Sequence, residues 1–288
     1  MKILLTGSSG FLGKKLLEML SKNKKIKTLC LTRSSHKENK KKNINYLKCD
    51  LKNINKVKNK ISNFKPEILI HLAWDNIPNF SFSNSKENEN NSKRLIKFVL
   101  DNAKIENIIV SGSCFEIYPP NKSYRHFVSA KKNILDYIKS KKIKKNFRYQ
   151  WLRIFYVYGP GQRNGSLIPH LISSLNKNSK LRIKTPKKKH DFIYIDDVCK
   201  FIVNCLNIKI GSNIFELGSG KSISILKIIK KIEKIKNKKF LLFKPFKDSK
   251  NKIQKANLKL AKKKFNWKPK FSIDKGLSKT VEMHSLLN

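Results

Sequence analysis

The chain has 288 residues, 39% of them hydrophobic, and its 65 Lys and Arg against 19 Asp and Glu give a formal net charge of +46. This length and apolar content suffice for a large α/β domain with a smaller companion, and they exclude a disordered protein. The charge alone would suggest nucleic acid or an anionic membrane. Because lysine is scattered along the whole chain and stacking aromatics are not interleaved with the lysine runs, we favour a compositional bias over dedicated nucleic-acid binding.

The chain opens with a strand, a glycine turn and a helix. Lys2 to Thr6 predicts a short buried strand, and the leucines of Lys14 to Lys22 recur at helical spacing. Gly7 allows a sharp turn, Gly10 lets the backbone approach a pyrophosphate, and Gly13 lets the helix pack closely. The helix amides would then face phosphate groups. The segment therefore predicts a dinucleotide site.

Further strand-like runs alternate with helix-like segments, which predicts an α/β fold with a parallel sheet covered on both faces and a ligand at the carboxyl ends of its strands. The runs are Lys27 to Thr32, Ile68 to Ala73, Asn107 to Ser111 and Arg148 to Ile154. Two polar stretches, His36 to Asn45 and Asp75 to Lys93, are expected to be surface loops.

Arg33 follows the second strand, where an acidic residue would grip the ribose hydroxyls of NAD. An arginine there favours the 2′-phosphate of NADP, although any position in so basic a chain can be Lys or Arg. We therefore expect NAD or NADP, with NADP favoured.

The cysteines and histidines suggest no metal site. Five cysteines, an odd number without close ligand pairs, indicate a reducing compartment. No apolar run reaches membrane-spanning length, so we expect a cytoplasmic protein without membrane insertion.

Several short segments share their order with a known family. Besides Thr6-Gly7-x-x-Gly10-x-x-Gly13, they are Asp50-Leu51, His71-Leu72-Ala73, Ser111-Gly112-Ser113, Arg153 to Pro160, Asp191 to Val198 and Asn266-Trp267-Lys268-Pro269. Over nearly its whole length the chain resembles the extended short-chain dehydrogenase/reductase family of nucleotide-sugar epimerases, dehydratases and reductases. The resemblance implies a Rossmann-type doubly wound sheet in residues 1–165, a smaller, partly interleaved substrate-binding part in residues 166–288, and a homodimer.

The resemblance also assigns cofactor contacts. Asp50 would reach the adenine side, with a helix cap as the alternative, and Ala73 would line the cofactor channel, with a small core residue as the alternative. The full expected set is Gly7, Gly10, Phe11, Leu12, Gly13, Arg33, Asp50, Leu51, Ala73 and Lys131.

In the family a Ser or Thr binds the reacting oxygen, a Tyr exchanges the proton, and a Lys four residues later holds the ribose and lowers the tyrosine pKa. Ser113 and Lys131 match two roles, but Phe127 stands at the tyrosine position. A benzene ring cannot exchange a proton. The stretch between Ser113 and Phe127 also looks shortened, so the register is open, and Tyr124 is the nearest substitute, with Tyr118 and Cys114 as further candidates.

Family dehydratases carry acidic residues directly after the hydroxyl position, whereas here Glu116 comes one place too late. We therefore favour reduction or epimerisation over dehydration. On the substrate side, His190 falls where the family has an arginine that meets a phosphate, and it lacks the bidentate fork, so Arg163 or Lys189 would have to help. His190 can equally be an ordinary surface residue. Asp196 and Asp197 are expected to be structural.

The leading hypothesis is an NAD(P)-dependent enzyme that acts on a nucleotide-diphosphate sugar in deoxysugar or surface-polysaccharide precursor synthesis. The first alternative is a catalytically impaired NAD(P)-binding sensor or scaffold, because Phe127 replaces the proton-transfer residue. A charge-driven nucleic-acid binder is the weaker alternative.

Overall fold

The computed structural model describes residues 1–34, 42–177, 179, 181, 183, 185–207, 210–240 and 254–286, so part of the predicted loop at His36 to Asn45 lies outside the described residues. The strands are β1 (Lys2–Thr6), β2 (Lys27–Thr32), β3 (Ile44–Lys48), β4 (Ile68–His71), β5 (Asn107–Ser113), β6 (Arg148–Ile154), β7 (Tyr156–Tyr158), β8 (Lys189–Tyr194), β9 (Asn213–Leu217) and β10 (Ser222–Ser224). The α-helices are α1 (Phe11–Ser21), α2 (Lys58–Phe64), α3 (Phe82–Asn102), α4 (Arg125–Lys144), α5 (Leu167–Asn176), α6 (Ile195–Asn207), α7 (Ile225–Lys236), α8 (Lys259–Phe265) and α9 (Ile273–Leu286).

Seven strands form one sheet in the order β3-β2-β1-β4-β5-β6-β9. The pairs β1/β2, β2/β3, β1/β4 and β4/β5 are parallel, and the register places Leu4 beside Leu29 on one side and Leu69 on the other. Chain order reverses at β1, as in doubly wound α/β folds. The predicted fold class is confirmed.

Strand β3 is one correction to the sequence prediction, which assigned Ile44 and Asn45 to a loop. The strand is short and lies at the sheet edge, and of its side chains only Ile44 and Leu47 are buried. An edge strand with so little apolar surface gives a weak pattern.

The expected loop at Asp75 to Lys93 is wrong from Phe82 onward, where helix α3 begins. The first half of this helix buries polar side chains, among them Asn84, Asn88 and Ser92. They are stable there because hydrogen bonds pair them, a tertiary effect that a hydrophobicity pattern does not show.

The apolar core lies between the sheet and helices α3 and α4. Leu4, Leu69 and Ile108 come from neighbouring strands, while Leu95 of α3 and Ile138 of α4 pack in the same cluster. All five are fully buried. The core therefore fixes the two helices against the strands whose carboxyl ends carry the predicted site.

The chain forms two compact units, one of residues 1–153 and 199–215, the other of residues 154–198 and 216–288. The second contains a three-stranded sheet in the order β10-β8-β7. The predicted boundary at Gly165 thus falls inside the second unit, and a division into independent domains at that residue stays a prediction.

All five cysteines are buried free thiols. Among the described residues, no helix combines the length and the apolar character needed to cross a bilayer. Within the same residues, no cluster of three or more His, Cys, Asp and Glu side chains could hold a metal ion.

Candidate functional site

The glycine turn after β1 packs so tightly against neighbouring backbone that Gly7 and Gly13 leave no space for a side chain. Gly7 has φ +77°, and a Cβ there would lie 2.7 Å from the Ala73 backbone nitrogen. A Cβ on Gly13 would lie 2.0 Å from the Gly7 carbonyl oxygen. The contacts are all with backbone, so neither position can accept a larger residue without moving the turn. Gly10 N donates to Gly7 O at 3.0 Å and closes the turn.

Helix α1 begins directly after Gly10 without a side-chain cap and without an acidic residue in its first turn. Its leading amides therefore keep their donors for a ligand, and the helix dipole favours an anion there. Phe11 and Leu12 are half-buried in this first turn. The pyrophosphate of a dinucleotide can approach the backbone of the glycine turn closely, and its negative charge matches the positive end of the α1 dipole.

A buried hydrogen-bond chain fixes the floor beside the turn. Ser92 Oγ donates to Asn88 O at 2.7 Å, so it accepts from His71 Nε2 at 2.9 Å. His71 Nδ1 then accepts from Thr6 Oγ1 at 2.7 Å. Burial, together with the nearby Lys131 cation, lowers the pKa of His71 to about 3. The ring is therefore neutral and structural.

Helix α3 holds the segment between β4 and itself, residues 72–81. Asn88 Oδ1 accepts from Asp75 N at 2.7 Å, and Asn84 Nδ2 donates to Asn79 O at 2.6 Å. Asp75 also pairs with Arg33 across 3.0 Å, although both side chains are more than a third exposed. The buried polar face of α3 thus positions a loop above the strand ends.

Ser113 ends β5 and is held by a capping box. Its Oγ accepts from Phe115 N at 3.2 Å, and Glu116 Oε1 accepts from Ser113 N at 2.7 Å. The Glu116 side chain has no exposed surface and also accepts from Trp151 Nε1 and Arg153 Nε, each at 3.0 Å. Glu116 is therefore an anchor for the Ser113 backbone, with its lone pairs engaged by buried donors.

Lys131 is 5% exposed and its ammonium lies 4.1 Å from the centre of the Trp74 ring. Nζ donates to Ser111 O at 2.7 Å, two residues before Ser113 on the same strand. Burial lowers the pKa of Lys131 to about 8, while the Glu116 charge acts in the opposite direction. The structure thus brings together Lys131 and the end of β5, as the sequence predicts.

Phe127 lies one helical turn before Lys131 inside an aromatic cluster. Its ring centre is 5.0 Å from that of Trp74, 5.0 Å from that of Phe80 and 6.3 Å from that of Phe115. Tyr124 contacts the same Phe80 and Phe115 rings, at 4.8 and 4.9 Å. Phe127 therefore fills an apolar cage, and Tyr124 borders it without a ring contact to Phe127 among the described pairs.

A sequence profile of the NAD dependent epimerase/dehydratase family matches residues 3–218, most of the chain. The chain belongs to this family.

Curated relatives agree with the assignment, and a solved structure shares the fold. Over 137 residues the chain is 28% identical to the CDP-abequose synthase of Salmonella muenchen, and this alignment covers 46% of each protein. It is 25% identical over 293 residues to the CDP-abequose synthase of Salmonella typhimurium, covering 97% of each. It is 27% identical over 244 residues to the GDP-6-deoxy-D-talose 4-dehydrogenase of Aggregatibacter actinomycetemcomitans, covering 79% of this chain and 78% of the relative. The fold is shared with the UDP-glucuronic acid 4-epimerase of Bacillus cereus in complex with UDP-glucuronic acid and NAD, at a TM-score of 0.85, 21% identity and full coverage of both chains.

The remaining cofactor residues predicted for this epimerase/dehydratase family member have structural roles of their own. Asp50 Oδ1 accepts from Lys52 N at 2.9 Å and caps the 3₁₀ turn that begins at Leu51. Ala73 N donates to Thr6 Oγ1 at 3.4 Å and lies against Gly7. Contacts of these residues with a cofactor stay predictions.

His190 and Arg163 lie in the second unit. His190 is 6% exposed, stacks on Tyr156 with 4.1 Å between ring centres, and faces Gln254 Oε1 at 3.3 Å. Burial lowers the pKa of His190 to about 4, so the ring is neutral at physiological pH. Arg163 Nε donates to Ser166 Oγ at 3.3 Å. A phosphate contact of either residue stays a prediction, and a neutral His190 would add no net charge to it.

Asp197 is structural in the geometry observed. Its carboxylate accepts from Lys270 N and Phe271 N, each at 3.0 Å, and the residue is 1% exposed. The neighbouring Asp191 accepts from Ser219 N and Ala256 N in the same manner.

The aromatic cluster around Phe127 and the role of Glu116 were not predicted from the sequence. The signal was present for Trp74, which directly follows the His71-Leu72-Ala73 segment, and for Glu116, which stands at the fourth position of a Ser-x-x-Glu capping box. Phe80 gave no signal, because only the folded loop brings it to Phe127.

Proposed function

We propose that this chain binds NAD or NADP and reduces a carbonyl carbon of a nucleotide-diphosphate sugar in deoxysugar or surface-polysaccharide precursor synthesis. The observation that carries the proposal is that one unit contains both the uncapped α1 terminus and Lys131, which is hydrogen-bonded to the strand that ends at Ser113. Relatives named for CDP-abequose and GDP-6-deoxy-D-talose support a nucleotide-linked sugar as substrate.

Two buried donors, one partly paired and one unpaired among the described residues, support a polar ligand at this place. The Lys131 ammonium has three hydrogens, and among the described residues it makes one hydrogen bond, to Ser111 O. Trp74 Nε1 is buried without a partner in the described part of the chain. Buried donors seldom stay unpaired, so ribose or substrate oxygens are the expected acceptors.

When bound, the reduced nicotinamide supplies hydride to the carbonyl carbon. Ser113 Oγ already accepts from Phe115 N, which leaves its proton free to donate to the substrate oxygen and orient it. Lys131 holds the ribose through its free ammonium hydrogens. The glycine turn and the first amides of α1 bind the diphosphate.

Reduction is favoured over dehydration because the site lacks a free acidic group next to Ser113 in the described residues. Glu116 is the nearest carboxylate in sequence, and its oxygens are occupied by Ser113, Trp151 and Arg153. A carboxylate that is fully buried and already paired is a poor general base.

The experiment is a turnover assay with NADH and NADPH against a panel of CDP-, GDP-, UDP- and dTDP-linked 4-keto-6-deoxysugars. We expect consumption of reduced cofactor with one nucleotide class and formation of the corresponding alcohol by mass spectrometry. Absence of turnover across the panel, with cofactor bound, would refute the enzymatic proposal.

We propose NADP as the preferred cofactor, on the position of Arg33 after β2. In the structure the guanidinium pairs with Asp75, so a 2′-phosphate would compete with that carboxylate. Arg33→Ala is expected to raise the Kd for NADPH about tenfold more than that for NADH, whereas Asp75→Asn should not weaken NADPH binding. Equal changes for both cofactors would contradict this assignment.

A second candidate, a cofactor-binding sensor without catalysis, is favoured by one observation. The Phe127 ring, at the position that the family resemblance assigns to the tyrosine, lies within an apolar cage and can exchange no proton. If the wild-type protein binds cofactor but is inert, and Phe127→Tyr produces turnover, this candidate is correct. An active wild type excludes it.

A further inference from the structure

The Lys131 ammonium is a buried cation that the described residues leave only partly satisfied. It is 5% exposed, donates to Ser111 O, and takes part in no ion pair among the described residues. Its other neighbours are the faces of Trp74 at 4.1 Å and Phe127 at 5.8 Å. An ammonium offers three hydrogens, so the one hydrogen bond to Ser111 O leaves up to two of them for a bound substrate or cofactor.

The groups that set its charge state come from three elements. On β4, His71 is neutral. After β5, the Glu116 carboxyl group raises the lysine pKa through space, and no hydrogen bond among the described residues joins it to Lys131. On the loop after β4, the Trp74 ring favours the cation. Burial opposes these effects and lowers the lysine pKa to about 8. A general acid is most effective when its pKa lies near the pH at which the enzyme operates.

The rest of the cluster offers little proton chemistry. The Trp74, Phe80, Phe115 and Phe127 rings carry no group that exchanges a proton at neutral pH. Tyr124 carries a phenol, and its ring contacts those of Phe80 and Phe115, whereas the rings beside the Lys131 ammonium are those of Trp74 and Phe127.

We propose that Lys131 is the proton donor of the reduction, in place of the phenol that Phe127 lacks. This inference rests on the proposed function. As the carbonyl carbon accepts hydride, the C=O π electron pair moves to oxygen. The oxygen forms a bond to a proton of Lys131 Nζ, and the broken N–H bond leaves its electron pair on nitrogen. Solvent then reprotonates the amine.

The first test is chemical rescue. Lys131→Ala should lower the rate of the chemical step about 10²- to 10⁴-fold. Small primary amines should raise the rate of this variant at least about tenfold, and the rescued rate should vary with the pKa of the amine. Cofactor affinity is measured in parallel by NADPH fluorescence, so that ribose binding and proton transfer are separated. Lys132→Ala is the matched control, since Lys132 is the exposed neighbour on the same helix.

The second test follows the pH dependence. The acid must be protonated, so the reductive rate should be constant below about pH 8 and fall tenfold per pH unit above it. Tyr124→Phe should leave this limb unchanged. A readout independent of turnover is the NMR titration of ¹³C-lysine-labelled protein, with the Lys131 signal assigned by its loss in Lys131→Arg and expected to titrate near pH 8.

The outcomes separate the two proposals. An inactive wild type overturns both the reduction and the role of Lys131. An active wild type whose Lys131→Ala variant is not rescued by amines, or whose rescue is indifferent to amine pKa, overturns the proton donor alone. Loss of the alkaline limb in Tyr124→Phe would instead assign the proton to Tyr124.

Discussion

Acid should weaken the first unit through His71. The folded pKa of this buried ring is about 3, whereas a histidine in the unfolded chain titrates near about 6.5. Between these values the unfolded chain binds the proton and the folded chain does not. The free energy of unfolding therefore falls as the pH drops through this window, by up to about 1.4 kcal/mol per pH unit. At pH 5 the loss due to His71 amounts to about 2 kcal/mol.

The assay is urea unfolding at pH 7 and pH 5, followed by tryptophan fluorescence, for the wild type and for His71→Asn. The variant cannot titrate, while its amide can still pair with Thr6 Oγ1, the partner of His71 Nδ1. We expect it to be less stable at pH 7 but to lose about 2 kcal/mol less than the wild type on acidification. The buried His190, with a pKa lowered to about 4, contributes equally to both proteins and cancels.

His126→Gln is the control, because this histidine lies half-exposed at the start of α4. It should show the wild-type difference between the two pH values. If His71→Asn also shows the full wild-type difference, His71 is not held neutral by the fold, and the hydrogen-bond chain through Thr6, His71 and Ser92 is wrong.

Two further substitutions test the turn and the anchor. Gly13→Ala places a Cβ 2.0 Å from the Gly7 oxygen, so it should destabilise the protein by about 1–3 kcal/mol. It should also weaken cofactor binding, measured by calorimetry, at least about tenfold. Gly165→Ala, with open space around the added Cβ, should change neither stability nor binding. Wild-type affinity in Gly13→Ala would contradict the close-packed turn. Glu116→Gln removes a fully buried carboxylate from its donors and should lower the free energy of unfolding by about 3 kcal/mol in urea titrations, against less than about 1 kcal/mol for the exposed Glu106→Gln. Equal losses in the two variants would refute the anchoring role.

The strands and the glycine turn were predictable because their signals are local. The predicted bounds of β1, β2 and β6 agree with the structure. Strands β1 and β2 are short, mostly apolar runs, as a buried parallel strand requires. Helix α3 was not predictable in the same manner, because Asn84 and Asn88 read as loop residues until their partners at Asp75 and Asn79 are known.

The family motifs also placed Ser113 and Lys131, but not their surroundings. Sequence spacing puts Phe127 one helical turn from Lys131. Only the fold shows that the Trp74 ring lies over the ammonium and that the Glu116 carboxylate accepts hydrogen bonds from Trp151 and Arg153. These contacts join residues far apart in the chain, and short-range patterns carry no information about them.

By itself the sequence determined the fold class, the family and the turn at Gly7 to Gly13, because periodicity and glycine spacing act over a few residues. Only the tertiary structure decided the charge states of His71 and Lys131 and the engagement of Glu116. The physical reason is that burial and hydrogen-bond partners set those properties, and both arise when separate strands and helices pack together.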